Sequence, residues 1–168
     1  MKKAITLFAA ICAIHYSSAQ TALETKFGHF IGNWKGSGTI TEQNRETSFD
    51  QTEEISWAAG KSAILIKGLG KDPETNDTTF QALGVIYFDA ATEEFKMLAI
   101  RDSGESVVAT LETPEPKLMK WGFDVPGGRV DYTTDLRSGN WVENGEFSPE
   151  GTDQSYPFFG MELEKTGN

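Results

Sequence analysis

The chain has 168 residues, the size of one ordinary domain, and carries 25 acidic against 15 basic side chains, a net charge of −10. Such an excess of carboxylates repels phosphate backbones and anionic lipid surfaces. The composition therefore argues against nucleic-acid partners and against electrostatic docking on membranes, and it leaves room for only one substantial domain.

The first nineteen residues have the three-part pattern of a secretion signal. The basic pair Lys2-Lys3 precedes an apolar run over 4–14, and small residues favour cleavage after Ala19. The run is about half the ~20 residues that a membrane-spanning helix needs, so we expect removal, with a retained anchor as the alternative. Cleavage removes two basic residues and the only cysteine, Cys12, and leaves residues 20–168 with a net charge of −12. The location expected is periplasmic or extracellular.

After about residue 30, short β-rich runs broken by turn residues recur about every ten residues, without helical periodicity. Tight connections such as 125–128 and 137–140 imply antiparallel neighbours. The sequence therefore predicts an all-β fold, an up-and-down antiparallel β-barrel of about ten strands, with one short helix over Thr21–His29 plugging an end. The predicted strands are 31–41, 47–58, 62–68, 78–88, 95–101, 105–112, 117–124, 128–135, 140–147 and 156–165.

Alternation along the strands predicts which side chains face the barrel interior. The inward sets are Phe49, Gln51, Glu53, Ile55 and Trp57; Met119, Trp121 and Phe123; Val130, Tyr132 and Thr134; Trp141, Glu143, Gly145 and Phe147; and Phe159, Met161 and Leu163. Strands 78–88 and 95–101 are apolar on both faces and cannot be assigned in this way.

The predicted interior is aromatic but contains two carboxyl groups, Glu53 and Glu143. A buried carboxylate is costly unless it is paired or hydrated, so the pair predicts a wet cavity or an internal ion pair with Arg101. Two alternatives stay open: the register is shifted by one residue, or both carboxylates lie at strand ends near solvent.

The segment Gly32-x-Trp34, followed by Gly36 and Gly38 on the same face, resembles the first strand of the calycin barrels. This group contains the lipocalins, the fatty-acid-binding proteins and the nitrobindin-like proteins. A tryptophan there can close the barrel base, and glycines beside it permit close approach and strong curvature of the strand.

The hairpins over 84–95 and 141–165 are similar to those of a family of secreted bacterial calycin-like proteins that has no established activity. The resemblance spans most of the mature chain and implies a single calycin-like barrel domain over residues 20–168. The nitrobindin-like branch implies a haem held by a histidine late in the chain, whereas this sequence has only His15, in the signal, and His29. No cofactor is therefore expected.

The leading functional hypothesis is a secreted protein that holds a small apolar or amphipathic molecule in the barrel. The predicted walls are Trp57, Trp121, Tyr132 and Trp141, and the predicted orienting groups are Glu53, Arg101 and Glu143. One alternative is a protein-interaction module with a filled core. Another is an isomerase or lyase in which Glu53 or Glu143 has a raised pKa and transfers a proton. No serine-nucleophile elbow, zinc ligand set or phosphate loop is present in the sequence, so we assign no catalytic or metal-binding residues.

Overall fold

The computed structural model describes residues 20–167, so the predicted signal over 1–19 lies outside the described residues. The described chain begins with helix α1 over residues 20–27, followed by a 3₁₀ turn, Gly28–Phe30. A second 3₁₀ turn, Ala59–Lys61, lies between the second and third strands. Between residues 20 and 167 no helix has the length and apolar character needed to cross a membrane. The strands are β1 Gly32–Glu42, β2 Arg45–Ala58, β3 Ala63–Lys71, β4 Thr78–Asp89, β5 Glu94–Arg101, β6 Ser106–Thr110, β7 Glu112–Glu115, β8 Leu118–Val125, β9 Gly128–Asp135, β10 Trp141–Pro149 and β11 Tyr156–Gly167.

All eleven strands belong to one antiparallel sheet in the order β6-β5-β4-β3-β2-β1-β11-β10-β9-β8-β7. Strands that follow one another in the chain pair with each other, except β6 and β7, and β1 pairs with β11, so the sheet curls into a nearly closed barrel. The predicted all-β, up-and-down barrel with a short N-terminal helix is confirmed. The strand absent from the sequence prediction is β7.

The two ends of the sheet meet where the chain bends at Leu111. Before the bend, β6 pairs with β5, and after it β7 pairs with β8 through Glu112 and Glu115. The backbone N–H of Leu111 donates to the carbonyl of Phe95 at 2.8 Å, which fixes the bend. Strand β6 lies beside β8 but does not pair with it. The barrel therefore has a seam between β6 and the second half of β8.

Helix α1 closes the end of the barrel at which β1 begins. Its apolar residues Leu23 and Phe27 are 1% and 0% exposed, and Phe30 in the following turn is 2% exposed. The indole Nε1 of Trp34 donates to the carbonyl of Phe30 at 2.8 Å, which ties the first strand to the turn. This end is filled by side chains, as the plug prediction requires.

Close approach of β1 to β11 depends on glycine. A Cβ on Gly36 would lie 2.0 Å from the carbonyl oxygen of Glu162, and one on Gly38 would lie 2.5 Å from the Phe49 ring. The first contact is with backbone, which cannot move aside without separating the strands. The sequence prediction that these glycines permit close packing is confirmed.

Candidate functional site

Four polar side chains lie in the middle of the barrel interior. Gln51 is 1% exposed and Thr134 is 0% exposed, while Glu53 and Glu143 are each 8% exposed. Their burial confirms the predicted register of β2, β9 and β10. Both carboxyl groups are therefore internal rather than at solvent-exposed strand ends.

Glu53 has one hydrogen-bond partner. Gln51 Nε2 donates to Glu53 Oε1 at 2.6 Å, whereas no described residue bonds to Glu53 Oε2 or to Gln51 Oε1. Burial raises the pKa of Glu53 to about 8, the Gln51 hydrogen bond opposes the rise, and the nearby Glu143 adds to it. Glu53 is thus a largely neutral carboxylic acid at pH 7.

Glu143 receives two hydrogen bonds on one oxygen. Thr134 Oγ1 donates to Glu143 Oε2 at 2.7 Å, and Trp141 Nε1 donates to the same oxygen at 3.1 Å. Burial raises the pKa of Glu143, and the two donors oppose the rise because they stabilise the charged form. These two hydrogen bonds, rather than an ion pair with an opposite charge, stabilise the buried carboxyl group of Glu143.

The internal ion pair with Arg101, one of the two alternatives that the sequence left open, does not form among the described residues. Arg101 is the last residue of β5 and occupies one of the alternate positions that face inward. It is nevertheless exposed, and it makes no ion pair with Glu53 or Glu143 in the described chain. The carboxyl groups find donors two residues away on their own strand or on the adjacent strand.

Aromatic side chains line the end of the barrel opposite helix α1. We define this region, the mouth, by six inward residues: Phe80, Arg101, Trp121, Phe123, Tyr132 and Phe159. The rings of Trp121 and Tyr132 stack at 4.3 Å with an interplanar angle of 14°, and the Phe159 ring meets Tyr132 edge-on at 5.8 Å. All five aromatic residues are partly exposed although they face inward. The mouth is therefore open to solvent where the helix end is closed.

Two hydrogen-bond donors in the mouth have no partner within residues 20–167: the Arg101 guanidinium and the Tyr132 hydroxyl. Burial raises the pKa of Tyr132 to about 12, Glu143 adds to the rise, and the positive charge of Arg101 opposes it. The phenol therefore stays protonated and donates. The two donors stand near enough for the guanidinium charge to act on the phenol.

The structure separates the seven predicted ligand-binding residues into three levels. Arg101, Trp121 and Tyr132 lie in the mouth, and Glu53 and Glu143 lie in the sealed middle. Trp141 is 3% exposed and packs between Phe30 and Trp34 at the helix end.

Trp57 also lies at the helix end. Lys61 Nζ stands 5.6 Å from the centre of the Trp57 ring.

The mouth adds aromatic residues that the sequence-based site did not include, namely Phe80, Phe123 and Phe159. Alternation had marked Phe123 and Phe159 as inward, whereas Phe80 lies in a strand that is apolar on both faces.

A groove of about 760 Å³ runs across the outside of β1 to β5. Two rows of outward side chains border it, and one of these rows contains Glu54, Lys67 and Leu83. Between these two rows lies a row of inward-facing residues, such as Glu53 and Gly68. Their backbone atoms therefore form the floor of the groove. Arg101, which ends the inward-facing row on β5, lines this groove as well as the mouth.

The single histidine of the described chain lies outside the mouth. His29 belongs to the 3₁₀ turn, 4.8 Å from the Phe30 ring, and burial followed by the Lys117 charge lowers its pKa. Between residues 20 and 167 no three His, Cys, Asp or Glu side chains are grouped closely enough to hold a metal ion.

Comparison with known proteins identifies the fold. No family model and no curated protein matches the chain. Among solved structures, Rv2717c from M. tuberculosis matches with a TM-score of 0.64 and 10% identity, over 86% of this chain and 97% of that one. The S-type phycobiliprotein lyase CPES from Guillardia theta matches with a TM-score of 0.58 and 11% identity, over 84% and 91% of the two chains. At this identity the two likenesses show that the chain shares the barrel fold of both proteins.

Proposed function

We propose that this chain is an exported calycin-like barrel that binds one small apolar or amphipathic molecule in the mouth. The observation that carries the proposal is the partly exposed, inward-facing Trp121–Tyr132 stack, which lies above a sealed interior. Inward aromatic rings that remain reachable by solvent provide an apolar surface that a ligand can cover.

The seam supports the same site. From Trp121 to Val125, β8 pairs only with β9, because β7 reaches no further along β8 than Lys120. The unpaired edge of β8 therefore lies next to the aromatic rings of the mouth. A ligand could enter through the barrel end or between β6 and β8 without breaking a strand ladder.

The polar groups of the mouth favour an amphipathic ligand over a purely apolar one. Arg101 and the Tyr132 hydroxyl offer a cationic donor and a neutral donor beside an aromatic wall. A ligand with a planar or aliphatic body and one carboxylate or other acceptor group would satisfy both. One solved neighbour is named a phycobiliprotein lyase, which supports a small-molecule role for a barrel of this fold.

The buried position of Glu53 favours binding over proton-transfer catalysis. A pKa of about 8 suits a general acid at neutral pH. However, its Oε2 atom is buried below the mouth, so a substrate resting on Trp121 would not reach it. We therefore place the ligand above the carboxyl groups, and we regard Glu53 and Glu143 as part of the barrel floor.

Native mass spectrometry of the protein purified from its own host tests the proposal. We expect a chain that begins at Gln20 and carries one bound small molecule, released on denaturation. Detection of the bare chain alone, combined with no shift in melting temperature across a panel of fatty acids and aromatic acids, would contradict ligand binding. A retained N-terminal segment would contradict export with cleavage.

A further inference from the structure

Four glycines on the inner wall of the barrel each lie beneath an aromatic ring. Each glycine occupies an inward-facing position, and a ring from the neighbouring strand fills the space in which its side chain would lie. The pairs are Gly38 with Phe49, Gly70 with Phe80, Gly128 with Phe147, and Gly145 with Tyr132 and Phe158. Two rings of the mouth, those of Phe80 and Tyr132, therefore depend on a glycine for their position.

Gly70 and Gly145 support these two rings of the mouth. Phe80 is the direct partner of Gly70 across β3 and β4, and a Cβ on Gly70 would lie 2.2 Å from Cε1 of Phe80. Tyr132 is the direct partner of Gly145 across β9 and β10, and a Cβ on Gly145 would lie 2.8 Å from Cε1 of Tyr132. Both distances are shorter than the ~3.5 Å at which two carbon atoms touch. Each ring therefore leans along the barrel wall over the neighbouring strand instead of pointing toward the barrel axis.

The two pairs face each other across the interior. In the sheet, β2, β1 and β11 separate β3–β4 from β9–β10 on one side. On the other side β5, β6 and β8 separate them at this level, because β7 pairs with β8 only as far as Lys120. Rings that lean along opposite walls leave the space between them free of their own atoms. Glycine weakens a strand, and close approach of another group is its usual reason for being there.

We propose that Gly70 and Gly145 determine the ligand specificity of the mouth, and that the ligand is a ring system wider than a single alkyl chain. This inference rests on the ligand site proposed above and names the class of molecule that the site takes. A ring system can cover the aromatic rings of both walls at once, whereas a single chain between walls held apart in this way covers only one. The Arg101 guanidinium adds a preference for a carboxylate or sulfonate group on that ring system.

Alanine at either position adds a methyl group without disturbing the strands. Neither glycine has a positive φ, so alanine fits the backbone at both. The atoms nearest to the new Cβ would all belong to side chains, those of Phe80 and Thr79 at position 70 and those of Tyr132 and Phe158 at position 145. Because each ring lies at the far end of its side chain, it can turn away from the added methyl group and toward the barrel axis, where it narrows the mouth.

Titration with two fluorescent anions of different width tests the proposal. The wide probe is 1-anilinonaphthalene-8-sulfonate, which contains two ring systems, and the narrow probe is trans-parinaric acid, which is one straight chain. We expect the wild type to bind the wide probe more tightly. Gly70→Ala and Gly145→Ala should weaken binding of the wide probe by about tenfold or more and change binding of the narrow probe by less than about threefold. Circular dichroism should show that both variants remain folded.

Phe80→Leu distinguishes a change in width from a general loss of packing. In the Phe80→Leu background the side chain that Gly70→Ala displaces is shorter, so adding Gly70→Ala should have little further effect on the wide probe. Gly160→Ala is the matched control, because the atom nearest to its Cβ, Asn144 Oδ1, would lie 3.7 Å away. It should bind both probes as the wild type does.

Two failures are distinguishable in this experiment. If neither probe binds the wild type saturably, the mouth is not a ligand site, and this inference is overturned together with the proposed function. If both probes bind but the wild type prefers the narrow one, or if both alanine variants keep the wild-type selectivity, the ligand site stands and the role of the two glycines is overturned. The wild-type preference is measured without any variant, so a variant that fails to fold does not protect the proposal.

Discussion

Gln51 Nε2 donates a 2.6 Å hydrogen bond to Oε1 of Glu53, two residues further along the same inward face of β2. The amide holds the carboxyl group in the barrel interior but does not compensate fully for the loss of water. Consequently, the pKa of Glu53 rises from 4.5 to about 8.

The raised pKa predicts that the free energy of unfolding falls as pH rises. Below pH 4.5 Glu53 is protonated in both states, whereas between 4.5 and about 8 the unfolded chain releases a proton that the folded chain retains. Stability from this group is therefore present at low pH and is lost by about pH 8, to an extent of the order of 5 kcal/mol. Urea unfolding at a series of pH values measures it.

Glu53→Gln should remove most of this pH dependence and should be more stable than the wild type at pH 8. Glu143, whose pKa is also raised by burial, should leave a residual dependence of the same sign. Glu54→Gln is the control, since Glu54 neighbours Glu53 but is exposed and points outward. An unchanged slope in Glu53→Gln would show that Glu53 ionises normally in the folded protein.

The helix plug predicts a large loss of stability on truncation of Phe27. This ring is fully buried and meets Phe95 edge-on at 5.2 Å. Phe27→Ala should lower the free energy of unfolding by about 3–5 kcal/mol, because it leaves a cavity between α1 and the barrel. Phe123→Ala, in the partly exposed mouth, should cost less in the same denaturant titration. Equal losses would mean that the two ends of the barrel are equally closed.

The β1–β11 contact predicts different responses at two glycines. Gly36→Ala should destabilise the protein by ~2 kcal/mol or more, since its Cβ would overlap the Glu162 carbonyl oxygen. Gly160→Ala should be tolerated because its nearest neighbour, Asn144 Oδ1, would lie 3.7 Å away. Thermal unfolding of the two variants compares them directly. Tolerance of alanine at position 36 would contradict the close strand approach.

Arg101 predicts selectivity for anionic ligands. Arg101→Gln should weaken binding of the anionic probe 1-anilinonaphthalene-8-sulfonate by about tenfold, whereas binding of neutral N-phenyl-1-naphthylamine should not change. Arg129→Gln is the control, because Arg129 is near the same barrel end but pairs with Asp131 at 2.9 Å. Equal weakening of both probes by Arg101→Gln would contradict a charge-specific role.

Sequence alternation was sufficient for the barrel and for much of its interior. It placed Gln51, Glu53 and Glu143 inside because each lies in a strand whose other face is polar. It could not place the aromatic or charged residues of strands that are apolar on both faces, such as Phe80 and Arg101. The structure shows why: the outward face of β3 to β6 also carries apolar side chains, Leu65, Val85, Leu98 and Val108, which removes the polar alternation.

Other features depended on information that alternation does not contain. Strand β7 was missed because it is only four residues long, contains Pro114 and follows the bend at Leu111. Of the two alternatives for the buried carboxyl groups, the ion pair with Arg101 does not form in the described chain, because Thr134, Trp141 and Gln51 supply donors whose positions depend on register and rotamer. Depth within the barrel, which separates Trp121 in the mouth from Trp57 at the helix end, is likewise set by strand stagger.

The central claim is that a ligand covers the Trp121–Tyr132 stack, and titration with N-phenyl-1-naphthylamine tests it most directly. The wild type should bind one probe per chain saturably, Trp121→Ala should weaken binding by about tenfold or more, and Trp57→Phe at the opposite end should bind as the wild type does. Circular dichroism should confirm that all three are folded. Absence of saturable binding, or unchanged binding in Trp121→Ala, would contradict the mouth as the ligand site.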